Sequence, residues 1–164
     1  MASIEEQKEA YTKYIEAHRE NVRLAYDIMI TRCKSILLDE KIDIFQLKTN
    51  VLNHDLSKYT EEEFEPYRKK FFPVDGEEVD KTEFDRAVYH HYTCNKHHWN
   101  HWIGQSKEMD PIYVVEMTLD WIAMGMQFGN TALEYYEKNK NNITLSKKAE
   151  DLFYRLTNKY YNLI

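Results

Sequence analysis

Apolar residues recur along most of this chain at the three-and-four spacing of helix faces. Between about Glu5 and Leu38, the positions Tyr11, Tyr14, Ile15, His18, Val22, Ala25, Tyr26 and Met29 form one stripe, with His18 in its middle. After the polar turn Asp39-Glu40-Lys41, a second helix is expected from Ile44 to His54, with Ile44, Leu47, Val51 and His54 on one face. Thr60 followed by Glu63 has the spacing of a capping box, so a third helix is expected over Glu61 to Phe72. The stretch Pro73 to Lys81 reads as a loop, and a helix resumes near Thr82 that carries Phe84, Ala87, Val88 and His91 inward.

Asp110-Pro111 is a helix start, and the helix that follows to Phe128 is apolar nearly all round, which marks it as the central buried element; Gly129 ends it. Two further segments, Thr131 to Lys138 and Ser146 to Leu163, complete the pattern. The second carries the stripe Leu145, Ala149, Leu152, Phe153, Leu156, Tyr160 and Leu163, which would close a bundle. The expected architecture is all-α, a single domain over residues 1–164 built as a helical bundle of about six helices.

Composition narrows this picture. With 43% hydrophobic residues, 14% aromatic residues and only 4 glycines and 3 prolines, the chain has a folded composition that favours long helices. A formal charge of −6 argues against binding to duplex nucleic acid, which needs a basic face. No apolar run reaches membrane-spanning length, since the 111–128 segment carries Glu116 and Asp120. Two cysteines, Cys33 and Cys94, are too few for a disulfide framework, and the N-terminus is charged where a signal peptide is apolar, so a cytoplasmic protein is expected.

The chemistry gathers around His54-Asp55, because imidazole and carboxylate are ligand types for zinc, iron, manganese and similar ions. His18 lies upstream on an inward stripe. Five of the 7 histidines, His90, His91, His97, His98 and His101, fall between positions 90 and 101. Asp120 sits in an apolar helix, where an uncompensated carboxylate costs several kcal/mol, and Glu116 lies one turn earlier on the same face. Arg68, Lys69 and Lys70 end the third helix as a solvated basic face or as a clamp for an anion. Trp99, Trp102 and Tyr92 are candidates to stack on a base, although aromatic residues at that spacing more often fill a core.

The order His18, His54-Asp55, Asp120 resembles the H…HD…D pattern of the HD-domain superfamily of metal-dependent phosphohydrolases. His54-Asp55-Leu56-Ser57-Lys58 resembles that superfamily's HDxGK form, with Ser57 in place of glycine. The blocks HDLSKYTEEEFEPYRKKFFP, HHYTCNKHHWNHW and EMTLDWIAMG are more narrowly similar to a family of small bacterial and phage proteins of HD type, over roughly residues 14 to 145. The resemblance implies that His18, His54, Asp55 and Asp120 hold a divalent metal ion (Zn, Mn, Fe, Co, Ni or Mg). It also implies that His90 or His91 with His97 or His98 stand where ligands of a second ion are expected. In the same reading Asp55, Lys58 and Glu116 are catalytic candidates, Glu116 as an outer acceptor or general base, and Lys58 and Arg68 would neutralise the phosphate of a small phosphorylated substrate. No GYP element follows the His pair, so cyclic-dinucleotide specificity is not implied.

The leading expectation is a metal-dependent phosphohydrolase acting on a nucleotide or another small phosphoester. Two other readings keep the same ligands: a di-iron oxygenase of the inositol-oxygenase-like type, and a non-catalytic helical metal-binding or regulatory protein. A small zinc site from Cys94, His97 and His98 is a fourth, disfavoured because the partner cysteine spacing is missing.

Overall fold

The structure, a computed structural model, describes residues 1–162; Leu163, the last position of the expected closing stripe, lies outside the described residues. Every regular element among them is helical. The α-helices are α1 (Ile4–Arg32), α2 (Lys34–Asp39), α3 (Ile44–Leu52), α4 (Phe64–Phe71), α5 (Lys81–Cys94), α6 (Pro111–Phe128), α7 (Ala132–Asn139) and α8 (Lys147–Tyr160). Short 3-10 turns cover Leu56–Tyr59, Trp99–Trp102 and Lys140–Asn142. The described residues therefore hold eight α-helices where about six were expected. One added break falls at Cys33, whose torsions (φ −102°, ψ 16°) leave the helical range. Cys33 is buried there with its thiol 3.6 Å from the Leu156 carbonyl of α8. No described helix is long and apolar enough to cross a membrane.

The chain divides into two compact units, Met1–Ala17 with Asp55–Asn95, and His18–His54 with Lys96 onward. The first unit is held by aromatic rings. Tyr11 packs on Phe64 and Phe72, with centroids 5.1 and 5.6 Å away, and Tyr67 packs on Phe84 at 5.4 Å. Its one large buried cation is Arg68, 1% exposed, which Glu77 grips through both guanidinium ends at 2.5 and 2.7 Å while Glu65 accepts at 2.9 Å. Glu77 also accepts from the Val74 amide, so this ion pair ties the acidic loop after α4 to the helix. The Arg68 guanidinium, with the Val74 amide, holds the Glu77 carboxyl down to about 2. Arg68, expected to meet a substrate phosphate, is ion-paired with the two carboxylates Glu65 and Glu77.

The expected capping box at Thr60 does not form. Thr60 Oγ1 donates back to the Ser57 carbonyl at 2.6 Å, and α4 starts only at Phe64, because the Glu63 side chain is committed elsewhere.

The second unit is built around α6, whose residues from Val114 to Ala123 are all buried. The α8 stripe Ala149, Leu152, Phe153, Leu156 and Tyr160 is likewise buried. Trp121 of α6 stacks on Tyr136 of α7 and meets Phe153 of α8 edge-on at 5.4 Å. Trp99 and Trp102, candidates for stacking on a base, pack instead against this core, and the Trp102 indole donates to the Lys96 carbonyl at 2.8 Å. Thr131 and Glu134 form a capping box at α7, Ser146 caps α8, and Pro111 opens α6 as expected.

At the end of α6, Gly129 adopts φ 78° and the Gly125 carbonyl accepts from both the Gly129 and Asn130 amides. The chain turns so tightly that a Cβ on Gly125 would lie 2.3 Å from the Asn130 carbonyl oxygen. Gly125→Ala is therefore expected to destabilise the protein by about 2 kcal/mol through backbone displacement, despite alanine's higher helix propensity. Urea unfolding followed by circular dichroism checks this, and an unchanged midpoint would refute it.

Candidate metal centre

The second unit brings together five of the residues singled out by the sequence, each from a different local cause. His18 stands on the inward face of α1, 2% exposed. His54 follows the end of α3, which stops at Leu52 and not at His54 as expected. Arg19 fixes that turn by donating to the His54 carbonyl at 3.0 Å and the Leu52 carbonyl at 2.7 Å. Glu116 and Asp120 lie one turn apart on α6, and the i, i+4 spacing puts them on one face. His97 precedes the 99–102 turn and is 1% exposed.

Three ligand atoms converge. His18 Nε2 lies 2.8 Å from Asp120 Oδ1, His54 Nε2 lies 3.3 Å from the same oxygen, and the two imidazole nitrogens are 3.3 Å apart. Neighbouring donors of an ion at 2.0–2.2 Å are separated by about 3.0 Å in an octahedron and about 3.4 Å in a tetrahedron. The observed triangle has the dimensions of one face of such a polyhedron, so a single ion can touch all three atoms. Burial opposes ionisation of Asp120, but hydrogen bonds to His18 and His54 outweigh it and hold the carboxyl well below its usual range.

Glu116 orients the nitrogen donors. Its Oε1 lies 3.1 Å from His54 Nδ1 and 3.2 Å from His97 Nδ1. Burial raises the Glu116 pKa, yet the hydrogen bonds to the two histidines prevail and bring it down to about 2. An ionised carboxylate can only accept, so both Nδ1 atoms carry the proton; His54 Nε2 donates to Asp120 when the ring is protonated and would offer a lone pair to an ion when it is neutral. The His97 ring lies 4.2 Å from that of His54, with Nε2 4.0 Å from Asp120 Oδ2. His18, His54 and Asp120, and separately His54, His97 and Glu116, are groups able to hold an ion. The half-buried His98 ring packs on His97 at 4.2 Å, and His101 lies edge-on to Trp102.

The other expected site residues belong to the first unit. Asp55 adopts the left-handed torsion φ 57°, which aspartate tolerates better than most residues. Its Oδ2 accepts from Lys58 Nζ at 2.9 Å, so Lys58 already has a carboxylate partner; its Oδ1 lies 3.5 Å from His91 Nε2. His90 and His91 both turn their Nδ1 atoms to Glu63, at 2.7 and 2.8 Å. Burial raises the Glu63 pKa, but hydrogen bonds to His91, His90 and Ser57 lower it overall. Asn95 donates to the Ser57 hydroxyl at 2.7 Å beside this pair. Glu63 reads locally as a capping residue, and no spacing signal connects it with residues 27 and 28 positions away. Cys94 takes part in none of the ion-holding groups among the described residues; its sulfur is 3.6 Å from His90 Nε2.

The depressed carboxyl of Glu116 has a consequence for acid stability. Its ordinary value of 4.5 falls to about 2 on folding, so ionised Glu116 stabilises the fold above pH 4.5 and that contribution disappears as pH falls toward 2. With chelator present, wild-type stability is expected to drop steeply between those pH values and Glu116→Gln to show a flatter profile. Equilibrium unfolding at a series of pH values checks this, and parallel profiles would contradict it.

Comparison with known proteins adds a family and no activity. No curated protein and no solved structure matches the chain. A family model matches residues 7–159, nearly the whole sequence, and on that match the chain belongs to DUF5662, a family of unknown function.

Proposed function

We propose that the protein is a metal-dependent phosphohydrolase acting on a nucleotide or another small phosphoester. The observation that carries the metal half of this reading is the triangle of His18 Nε2, His54 Nε2 and Asp120 Oδ1, with Glu116 fixing the protonated face of His54. The phosphoester half rests on the likeness of the His18, His54-Asp55, Asp120 order to HD-type phosphohydrolases.

The donor set suits a divalent transition ion: two imidazoles and a carboxylate, buried, with a second carboxylate behind one imidazole. Such an ion supplies Lewis acidity toward a phosphoryl oxygen and toward water. The chain's own part is to hold the ligands rigid and to manage protons. Asp120 keeps a negative charge at the centre because two imidazoles face it. Glu116 holds protons on His54 and His97 at Nδ1, away from the converging atoms. Both lie on α6, whose residues from Val114 to Ala123 are all buried, so the carboxylates are carried by a rigid element.

Metal analysis after purification is expected to find a divalent ion in stoichiometric amount. His18→Ala, His54→Ala and Asp120→Ala should each abolish it, and Glu116→Gln should weaken affinity about 10- to 100-fold. A screen of nucleotides and small phosphoesters with Mn, Co, Ni, Zn, Fe or Mg should then release phosphate, and Asp120→Asn should remove that activity. Protein that carries no ion, or alanine variants with unchanged metal content, would end the proposal. The same two-histidine, one-carboxylate set also suits non-haem iron, so oxygen consumption with Fe(II) and no phosphate release is the result that would select the oxygenase reading. Stoichiometric metal with no turnover and a large loss of thermal stability on chelation would select a structural role.

A further inference from the structure

Aliphatic side chains that gather at the surface of a folded chain mark a place that something else covers. In the second unit they gather where α1, α2 and α3 meet. Leu38, at the end of α2, is 66% exposed, and Ile44, at the start of α3, is 38% exposed. Both line a cavity of about 460 Å³, whose other apolar walls are Ile30 of α1, Leu37 of α2 and Ile42 of the turn between α2 and α3. Leu37 is 2% exposed and belongs to the core, so one wall of the cavity is fixed while Leu38 and Ile44 form its rim. The turn is fixed as well: the Lys41 amide donates to the Leu38 carbonyl at 3.0 Å and the Ile42 amide to the Leu37 carbonyl at 2.9 Å. Two polar side chains, Thr31 and Lys34, complete the lining. The Thr31 hydroxyl donates to the Asp27 carbonyl at 3.3 Å, which leaves Lys34 as the charged group of the cavity. Lys34 has no carboxylate partner among the described residues, because the acids that end its helix, Asp39 and Glu40, face Arg155 at 3.9 and 2.6 Å.

We propose that this cavity binds a single-chain amphiphile with one negatively charged head group, a medium-chain carboxylate, its alkyl chain on the five aliphatic residues and its head group at Lys34. The site is independent of the metal centre. Its lining carries the argument. Five aliphatic walls with one ammonium group at their edge complement a ligand that is apolar along its length and anionic at one end, and the cavity has the size of a small-molecule site. Among the described lining residues none is aromatic, so a flexible alkyl chain fits the walls better than a planar ring that would be held by stacking. A second copy of the chain is a poorer occupant. A two-fold contact centred on the cavity sets one Lys34 near the other, and it joins two chains that each carry a net charge of −6. A carboxylate instead gives Lys34 the partner that the fold does not supply.

The test is titration of the full chain with hexanoate, octanoate and decanoate below their micelle concentrations, followed by calorimetry and by methyl NMR. Decanoate is expected to shift the methyl signals of Ile30, Ile42 and Ile44, and affinity should rise about fourfold for each methylene added. Lys34→Met keeps an apolar stem and removes the charge, so it should weaken decanoate about fivefold and leave decanol unchanged. Leu38→Asp places a carboxylate on the rim and should weaken decanoate at least tenfold; because Leu38 is exposed, the variant should keep the circular dichroism of wild type. Unmoved isoleucine methyls, affinity that does not depend on chain length, decyltrimethylammonium bound as tightly as decanoate, or equal effects of Lys34→Met on decanoate and decanol would each overturn the proposal. So would a wild-type dimer in sedimentation that Leu38→Asp dissociates and decanoate does not, which would give the face to a second copy. Binding to phosphatidylglycerol vesicles without binding of free decanoate would overturn it in favour of a membrane surface.

Discussion

One imidazole bridges two carboxylates set a helical turn apart, and the second unit is arranged around that contact. Glu116 and Asp120 sit on the same face of α6, buried to 5% and 7% exposure. Like charges at i, i+4 repel even in water, and burial multiplies the penalty. His54 resolves this by presenting Nδ1 to Glu116 and Nε2 to Asp120. His18 and His97 complete the compensation, one at each carboxylate. The turn after α3 must therefore deliver His54 to a fixed height along α6, which explains why Arg19 pins the carbonyls of residues 52 and 54.

The apolar residues around these carboxylates have a role beyond stability. Val114, Val115, Leu119 and Ile122 are almost fully buried, and they bring α6 into contact with α7, α8 and α3. Close-packed interiors deform little, so donor atoms carried by such a helix hold their spacing within a few tenths of an ångström. Gly125 and Gly129 finish the helix in a turn that fits only because the first has no Cβ. The helix that looks most like plain core in the sequence is thus the one that sets the geometry of the centre.

How much of this was legible beforehand follows from the range of each interaction. Helix faces are local, so periodicity located α3, α5, α6, α7 and α8 to within a few residues and the start of α1, but it ran the first stripe on to Leu38 through the break at Cys33. His18 and Asp120 were legible because each is a polar residue on an apolar stripe, a mismatch visible without knowing the partner. The histidine cluster was visible as composition, but which ring points where depends on Glu63 and Glu116, and only Glu116 stood out. Glu63 was hidden by its three-residue distance from Thr60, which fits a capping box that the fold does not use. The partners of Arg68 were hidden for a similar reason: a basic residue at a helix C-terminus is usually solvated, and nothing local reveals that Glu77 arrives from the following loop. The left-handed torsion of Asp55 has no signature in a sequence that continues with Leu56 and Ser57.

Charge balance constrains the same group of side chains. Two buried carboxylates on α6 carry two negative charges, and both are held ionised. Two imidazolium rings would balance them, but the protonated Nε2 atoms of His18 and His54 would then face each other at 3.3 Å, which places like charges together in a buried site. His18, His54 and Asp120 at that spacing belong to a group that could hold a metal ion, whose charge would relieve this crowding.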